Sequence, residues 1–294
     1  MVKILVTGSN GQLGSEFRYI EKEYPQFSFI FTDIEELDIT SLDKVKVFFN
    51  EYLPDTVINC AGYTAVDKAE EEPEKAMWLN RDAVSNLAQV CDTHGSFLVH
   101  LSTDFIFNGS SNKPYTEEDI PSPLSVYGLS KLDGEETMQA GLQKGLIIRT
   151  SWLYSSFGNN FVKNIIYKGK ASGILNIVTD QIGSPTYARD LAKAILQILP
   201  AVMISNTFDI LHYSNEGQCS WYDFAVEIIR QTGIKCQVKA IRTGEYPAKA
   251  VRPAYSVMDI SKIKSKYGIT VRDWRVSLRE CLGELQEGDK GIRG

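Results

Sequence analysis

Thr7-Gly8-Ser9-Asn10-Gly11-Gln12-Leu13-Gly14 is the stretch on which the fold of this chain turns. It closes the apolar run Lys3–Thr7 (KILVT) and opens a segment with helical spacing near 11–23. Glycines 8, 11 and 14 give G-x-x-G-x-x-G, one residue longer than the G-x-G-x-x-G fingerprint of a first strand–helix turn. Such a turn lets the backbone double back and approach a pyrophosphate closely. The helix start behind it offers free N–H groups and the positive end of a dipole.

The rest of the first half repeats the same strand–helix unit. Phe27–Asp33, Thr56–Ala61, Phe97–Thr103 and Leu146–Thr150 are short runs rich in Val, Ile and Phe. Near-continuous apolar runs suit strands buried on both faces of a parallel sheet. Between them the spacing predicts helices near 41–52, 73–94 and 125–143. Alternation of this kind predicts an α/β fold: a Rossmann-type doubly wound parallel sheet with right-handed crossovers. The second half is less regular. It predicts a helix after Phe157, a strand at 174–179, and the turn Gln181-Ile182-Gly183-Ser184-Pro185. Further helices are expected near 187–199, 220–232, 259–266 and 273–285, with a strand near 207–211. The charged, Gly-containing residues 287–294 are expected to fray. The domain reading is a dinucleotide-binding domain over 1–150, taking in parts of 174–200, and a smaller, mainly substrate-binding region over 151–294.

Composition narrows the function classes. The chain has 294 residues and a formal net charge of −6. It has no basic surplus of the kind a nucleic-acid binder carries, since Lys262–Lys266 reads as one solvated helix face. No apolar run reaches the ~18 residues of a membrane span. Met1-Val2-Lys3-Ile4 enters a strand directly, without a signal-peptide pattern. The five cysteines (60, 91, 219, 236 and 281) and the histidines 94, 100 and 212 show neither disulfide nor metal-ligand spacing. The expectation is a cytoplasmic protein with neither a nucleic-acid nor a membrane partner and no metal ligands.

In open α/β sheets ligands sit beyond the carboxyl ends of the strands, so polar residues there are candidates for chemistry. Asp33, at the end of strand two, is placed to bind a ribose hydroxyl, and Asp38 slightly later to lie near an adenine. Asp33 makes NAD natural, while Arg18 or Lys22 would suit the extra phosphate of NADP, so both stay open. Asn59-Cys60-Ala61-Gly62-Tyr63-Thr64 ends strand three with small residues. Ser102-Thr103-Asp104 ends strand four. Tyr127 is the one tyrosine followed four residues later by a lysine, Lys131, and that spacing puts both on one helix face. A free phenol has a pKa of about 10. A nearby ammonium and a positive nicotinamide ring favour the phenolate and bring the group toward acid–base range. Tyr127 would then protonate a carbonyl oxygen as hydride reaches its carbon. Lys131 would tune Tyr127 and hold the nicotinamide ribose, and Thr103 would align the carbonyl.

Together these motifs resemble the extended short-chain dehydrogenase/reductases, and within them the dTDP-4-dehydrorhamnose reductase family. The resemblance is carried by TGSNGQLG (7–14), LDIT (37–40), NCAGYTAVDKAE (59–70), NRDAVSNLA (80–88), LSTDFIFNG (101–109), PLSVYGLSKLDGE (123–135), RTSWLY (149–154), DQIGSPTYARDLA (180–192) and RPAYSVMD (252–259). It implies reduction of a 4-keto sugar on dTDP by NADPH or NADH, with Thr103, Tyr127 and Lys131 catalytic. It places cofactor on Asn10–Leu13, Asp38–Ile39 and Gly62–Thr64, with Tyr127 and Lys131 beside it. It places substrate at Thr103, Asp104, Trp152 and Arg252, the last at the phosphates, and it marks Asn215 without a role. Gly62 and Tyr63 depart from many relatives. Some relatives form a magnesium-dependent homodimer through clustered glutamates; Glu16 is a candidate, and the others are not matched. A nucleotide-sugar dehydratase would want Glu after Thr103-Asp104, where Phe105 stands, and epimerases tend to carry small residues after the Ser/Thr. A non-catalytic subunit, similar to the beta subunit of methionine adenosyltransferase, need not keep Thr103, Tyr127 and Lys131.

Overall fold

The computed structural model describes residues 1–291, with side chains described as far as Gln286. The Val-, Ile- and Phe-rich runs form β1 (Val2–Thr7), β2 (Phe27–Thr32), β3 (Thr56–Asn59), β4 (Phe97–Thr103) and β5 (Gly145–Thr150), and β6 is Phe208–Tyr213. Among the described residues these six make one parallel sheet in the order β6-β5-β4-β3-β1-β2. The chain steps one way from β1 to β2 and the other way from β3 onward. The switch point, where a crevice opens at the carboxyl ends, therefore lies between β1 and β3.

Helices cover both faces. The main ones are α1 (Gln12–Ile20), α2 (Leu42–Tyr52), α3 (Ala83–His94), α4 (Val126–Gly141), α5 (Phe161–Ser172), α6 (Ala188–Ser205), α7 (Trp221–Thr232) and α8 (Trp274–Gly291). Leu13 and Phe17 of α1 and Leu191, Ile195 and Leu199 of α6 pack on Ile4, Val6, Ile58 and Val99. On the other face Val45 and Phe49 of α2, Leu87 of α3 and Met138 of α4 pack on Leu5, Val57, Leu98 and Ile147. The alternation of inward side chains along each strand sends neighbouring residues to opposite helix layers.

Three local expectations change. The helix expected over 73–94 is interrupted: Pro73–Met77 passes through a π-helical turn at Trp78–Asp82 before α3 begins. The wider turn buries Asn80, and period alone carries no signal for it. The helix expected to stop at 199, before Pro200, continues to Ser205 with the proline inside it. The exposed ring faces solvent, while Leu199 and Val202 are held in the core, so packing overrides a local cost of ~3 kcal/mol. The crossovers are not all of one hand. β5 to β6 steps in the same direction as β4 to β5, yet its helix α6 lies on the face of α1, opposite α4. The steric rule for a single crossing helix does not bind here, because residues 151–187 detour through other structure first.

That detour builds a second core. Tyr154, Ile165 of α5, Phe224 and Ile228 of α7, and Trp274 and Leu278 of α8 pack together, beside a parallel pair of strands, Ile174–Val178 and Gln237–Ile241. The second of these escaped sequence reading because most of it is exposed. Asn215 holds the region together: its Oδ1 accepts from the Tyr187 N–H (2.7 Å), and its Nδ2 donates to Asp190 (2.7 Å) and Ser277 (3.0 Å). α8 runs to Gly291, past the expected end of its helix; 292–294, the rest of the stretch expected to fray, lie outside the described residues. Among the described residues no helix is long and apolar enough to cross a membrane.

Candidate active site

Between β1 and β3 lies a crevice of about 450 Å³. Gly8, Asn10, Gly11, Asp33, Asp38, Ile39 and Gly62 line it. Gly8 has φ +64°, and a Cβ there would meet the Ala61 nitrogen at 2.6 Å, so only glycine turns the chain this close to β3. Gly11 precedes α1 with no side-chain cap. Gln12, Leu13 and Gly14 form the first turn behind it; the Leu13 side chain is in the core, so only its backbone can face a ligand. Asp33 accepts from the Asn10 N–H (2.9 Å) and from its neighbour Ile34 (2.9 Å), tying β2 to the glycine turn. Asp38 accepts from the Thr40 hydroxyl (2.6 Å), which is the main reason its carboxyl is held below the usual range. Tyr63 and Thr64 continue from Gly62; the Tyr63 hydroxyl donates to Glu72 (2.8 Å), and Thr64 is exposed. Arg18 stacks 4.4 Å over Phe31 and donates to Ser9 Oγ (3.0 Å).

These residues fit a dinucleotide. The uncapped helix start suits a pyrophosphate, the two carboxylates suit a ribose and an adenine, and the buried Gln12 Oε1 has no partner. Ala61 of the small-residue strand end lines the crevice too, as do Leu37, Thr40 and Leu79, which are not among the residues expected there. Asn80 is a further omission: it accepts from the Tyr63 N–H (2.8 Å) and donates to the Tyr63 carbonyl (3.0 Å) and Ser130 Oγ (2.9 Å). It thereby joins the crevice rim to α4.

At the end of β4, Thr103, Asp104 and Tyr127 come together, and Lys131 lies one helical turn on from Tyr127. Thr103 caps a short turn, accepting from the Phe105 N–H (3.2 Å) and donating to Asp104 Oδ1 (3.2 Å). Ser125 caps α4 through the Gly128 N–H (3.1 Å), which presents Tyr127 in its first turn. The phenol meets the Thr103 hydroxyl, and its ring lies edge-on to Phe105 at 5.5 Å. Burial pushes Tyr127 up to about 12, with the Thr103 hydrogen bond opposing. The sequence reading has Lys131 lowering Tyr127; in this structure Lys131 Nζ is turned to the Leu101 carbonyl (2.6 Å) and His100 Nε2 (3.2 Å) instead. Burial brings Lys131 down to about 8. Burial also raises Asp104 to about 7, against hydrogen bonds from Ser256 and Thr103, and its Oδ2 has no partner of good geometry.

Trp152 and Arg252, expected at the substrate, lie in the second region. Trp152 sits at φ +46°, a conformation costly for a bulky residue. Its indole stacks flat on Trp221, with centroids 3.5 Å apart. Gly183 makes room for it: a Cβ there would come within 2.5 Å of the indole. Trp221 also borders a cavity of about 590 Å³ with Phe161, Tyr167, Gln181, Tyr246 and Arg252. Arg252 forks onto Asp67 (2.7 and 3.1 Å), and this pairing is the main cause holding the Asp67 carboxyl low. Sequence reading placed Asp67 inside a motif but gave it no partner. Glu16 lies apart from both cavities, fully buried, accepting from Arg189 (2.8 Å) and Ser155 (2.6 Å). Among the described residues no group of three His, Cys, Asp or Glu is arranged to hold a metal ion.

A crevice that fits a dinucleotide at the switch point, with a hydroxyl and a phenol at the neighbouring strand end and a lysine one helical turn on, is the arrangement of an extended short-chain dehydrogenase/reductase. The sequence model of the RmlD substrate binding domain matches residues 2–287. The chain is 38% identical to the dTDP-4-dehydrorhamnose reductase of Aggregatibacter actinomycetemcomitans, covering 95% of this chain and 98% of that one. Its structure superposes on a dTDP-4-dehydrorhamnose reductase of Clostridium acetobutylicum with a TM-score of 0.92 at 43% identity, covering 97% and 100% of the two chains. A Bacillus anthracis dTDP-4-dehydrorhamnose reductase in complex with NADP gives 0.90 at 35% identity, again over 97% and 100%. This chain belongs to the dTDP-4-dehydrorhamnose reductase family.

Proposed function

We propose that the protein reduces the 4-keto group of dTDP-4-dehydro-L-rhamnose to give dTDP-L-rhamnose, with NADPH as the preferred reductant and NADH as the alternative. The observation that carries this reading is the meeting of Thr103 and Tyr127 at the end of β4, with Lys131 one helical turn on and bound to the Leu101 carbonyl of the same strand, beside the crevice under the glycine turn. A bound nicotinamide supplies the hydride. Gly8–Leu13 and Gly62 cradle the dinucleotide, with Asp33 and Asp38 at its adenosine end. Thr103 donates to the sugar carbonyl and fixes its direction. Tyr127 gives its proton to the same oxygen as negative charge grows there. A buried phenol near 12 is a reluctant acid at rest, and a cationic Lys131 drawn toward the nicotinamide ribose would lower it.

Asp104, its carboxyl near 7, is proposed to hydrogen-bond a sugar hydroxyl. Trp152 and Trp221 would form an aromatic wall for the sugar and base, and Arg252 would exchange part of its pairing with Asp67 for a diphosphate oxygen. Residues 1–150 with α6 and β6 act as the dinucleotide-binding domain, and most of 151–294 as the substrate-binding region. The reading is of a cytoplasmic enzyme, with a homodimer as its assembly. Phe105 after Asp104 leaves no second acid for a dehydratase.

The test offers the purified protein dTDP-4-dehydro-L-rhamnose with NADPH or NADH and identifies the product by NMR. The reading predicts dTDP-L-rhamnose and consumption of one reduced cofactor per sugar. Return of unreacted keto sugar with both cofactors contradicts it.

A further inference from the structure

A row of buried polar side chains crosses the sheet beneath Lys131. Thr7, Asn59 and His100 are register partners on β1, β3 and β4, and all three are buried. The interior of a helix-covered parallel sheet is normally apolar, and polar atoms there cost free energy unless every one is paired. Here the pairing fixes the direction of each bond. Asn59 Oδ1 accepts from the Ala61 backbone N–H (3.2 Å) and from Thr7 Oγ1 (2.7 Å). A backbone N–H can only donate, so the amide oxygen must face it and the amide nitrogen faces His100. Asn59 Nδ2 lies 3.1 Å from His100 Nδ1. Nδ1 therefore accepts, and the neutral ring carries its proton on Nε2. That Nε2 lies 3.2 Å from Lys131 Nζ. An ammonium has no lone pair to accept an N–H; an uncharged amine has one.

We propose that His100 is a positioning residue for Lys131: locked by Asn59 as the Nε2–H tautomer, it donates to Nζ and favours the uncharged amine, so that dinucleotide binding is coupled to uptake of a solvent proton at Nζ. The proposal deepens the reductase reading, in which a charged Lys131 holds the nicotinamide ribose. The Leu101 carbonyl also accepts from Nζ at 2.6 Å, a bond that an uncharged amine still donates. Glu135, one turn along α4, favours the charged form, but both its oxygens are bound by Arg149. Cys60, from the end of β3, is kept a thiol by burial. Tyr127 is held as a neutral phenol, and burial keeps His100 itself uncharged.

The test reads tautomer and titration by NMR, apart from turnover. The chain has three histidines, so nitrogen shifts of the cofactor-free protein resolve His100 without any substitution. The expected result is the Nε2–H form, with Lys131, followed through a labelled side-chain carbon, titrating below the other lysines and shifting upward when NADPH is added. In Asn59→Asp the carboxylate keeps the Thr7 and Ala61 bonds, and its second oxygen accepts from Nδ1–H. The tautomer reverses, Nε2 becomes an acceptor, and the proton affinity of Lys131 rises about tenfold or more. An Nδ1–H tautomer in the unsubstituted protein overturns the proposal, as does a Lys131 titration unmoved by bound NADPH or by a folded Asn59→Asp. Absence of keto-sugar reduction would tell against the reductase reading alone and leave these signals as they are.

Discussion

Asp104 sets a buried carboxyl against its own charge. Its folded value near 7 lies above the ordinary 3.8, and burial is the leading cause. The folded protein therefore holds a proton that the unfolded chain releases as pH rises through roughly 4 to 7, and stability from this group falls across that window. Above it the penalty is complete; below it there is none. Asp104→Asn is expected to raise the melting temperature at about pH 8, with the gain fading toward about pH 4. Calorimetry at the two pH values checks this, and an equal shift at both would show that burial of charge is not the cause. Legibility at this scale was uneven. Thr103, Tyr127 and Lys131 could be found because strand ends and a four-residue helical step have sequence signatures. His100 and Asp67 could not, since what matters in each is a partner far along the chain, Asn59 and Lys131 for one and Arg252 for the other.

The Trp152 wall depends on one missing methyl. Adding it in Gly183→Ala drives a Cβ to within 2.5 Å of the indole, and the ring must leave Trp221. The expected result is a higher KM for the nucleotide sugar with NADPH affinity unchanged; steady-state kinetics and cofactor titration separate the two. Pro200 gives a contrasting case. It interrupts the hydrogen bonding of α6 while exposed to solvent, so Pro200→Ala should stabilise the protein by about 1–3 kcal/mol in denaturant unfolding. Most strand and helix positions were legible from runs of apolar residues and helical spacing. The π-turn at Trp78–Asp82 was not, because one widened turn leaves the amphipathic pattern almost intact. The strand Gln237–Ile241 was not, because it is an exposed partner held by a single neighbour.

Across the whole molecule, α1 of the first core, α6 and the C-terminal helix α8 meet at Arg189. Its guanidinium binds Glu16 (2.8 Å) and Glu284 (2.7 Å), with Glu16 fully buried. Burial pushes the Glu16 carboxyl up, against its bonds to Ser155 and Arg189. Without Glu16, Arg189 keeps Glu284, but its buried Nε and the Ser155 hydroxyl lose their acceptor, so Glu16→Ala should cost about 3 kcal/mol in urea unfolding; a loss below about 1 kcal/mol would place it with exposed pairs. The glycine turn and apolar runs announced the doubly wound sheet. The reversed hand of the last crossover could not be read, since it depends on where residues 151–187 send the chain before α6.

In the proposed reaction Tyr127 delivers the proton at the sugar carbonyl. Tyr127→Phe removes the acid and leaves the crevice untouched. Single-turnover oxidation of NADPH by dTDP-4-dehydro-L-rhamnose, set beside the NADPH dissociation constant, tests it most directly. The chemical step should fall at least roughly a hundredfold with unchanged cofactor affinity. A rate equal to that of the unsubstituted enzyme would contradict it.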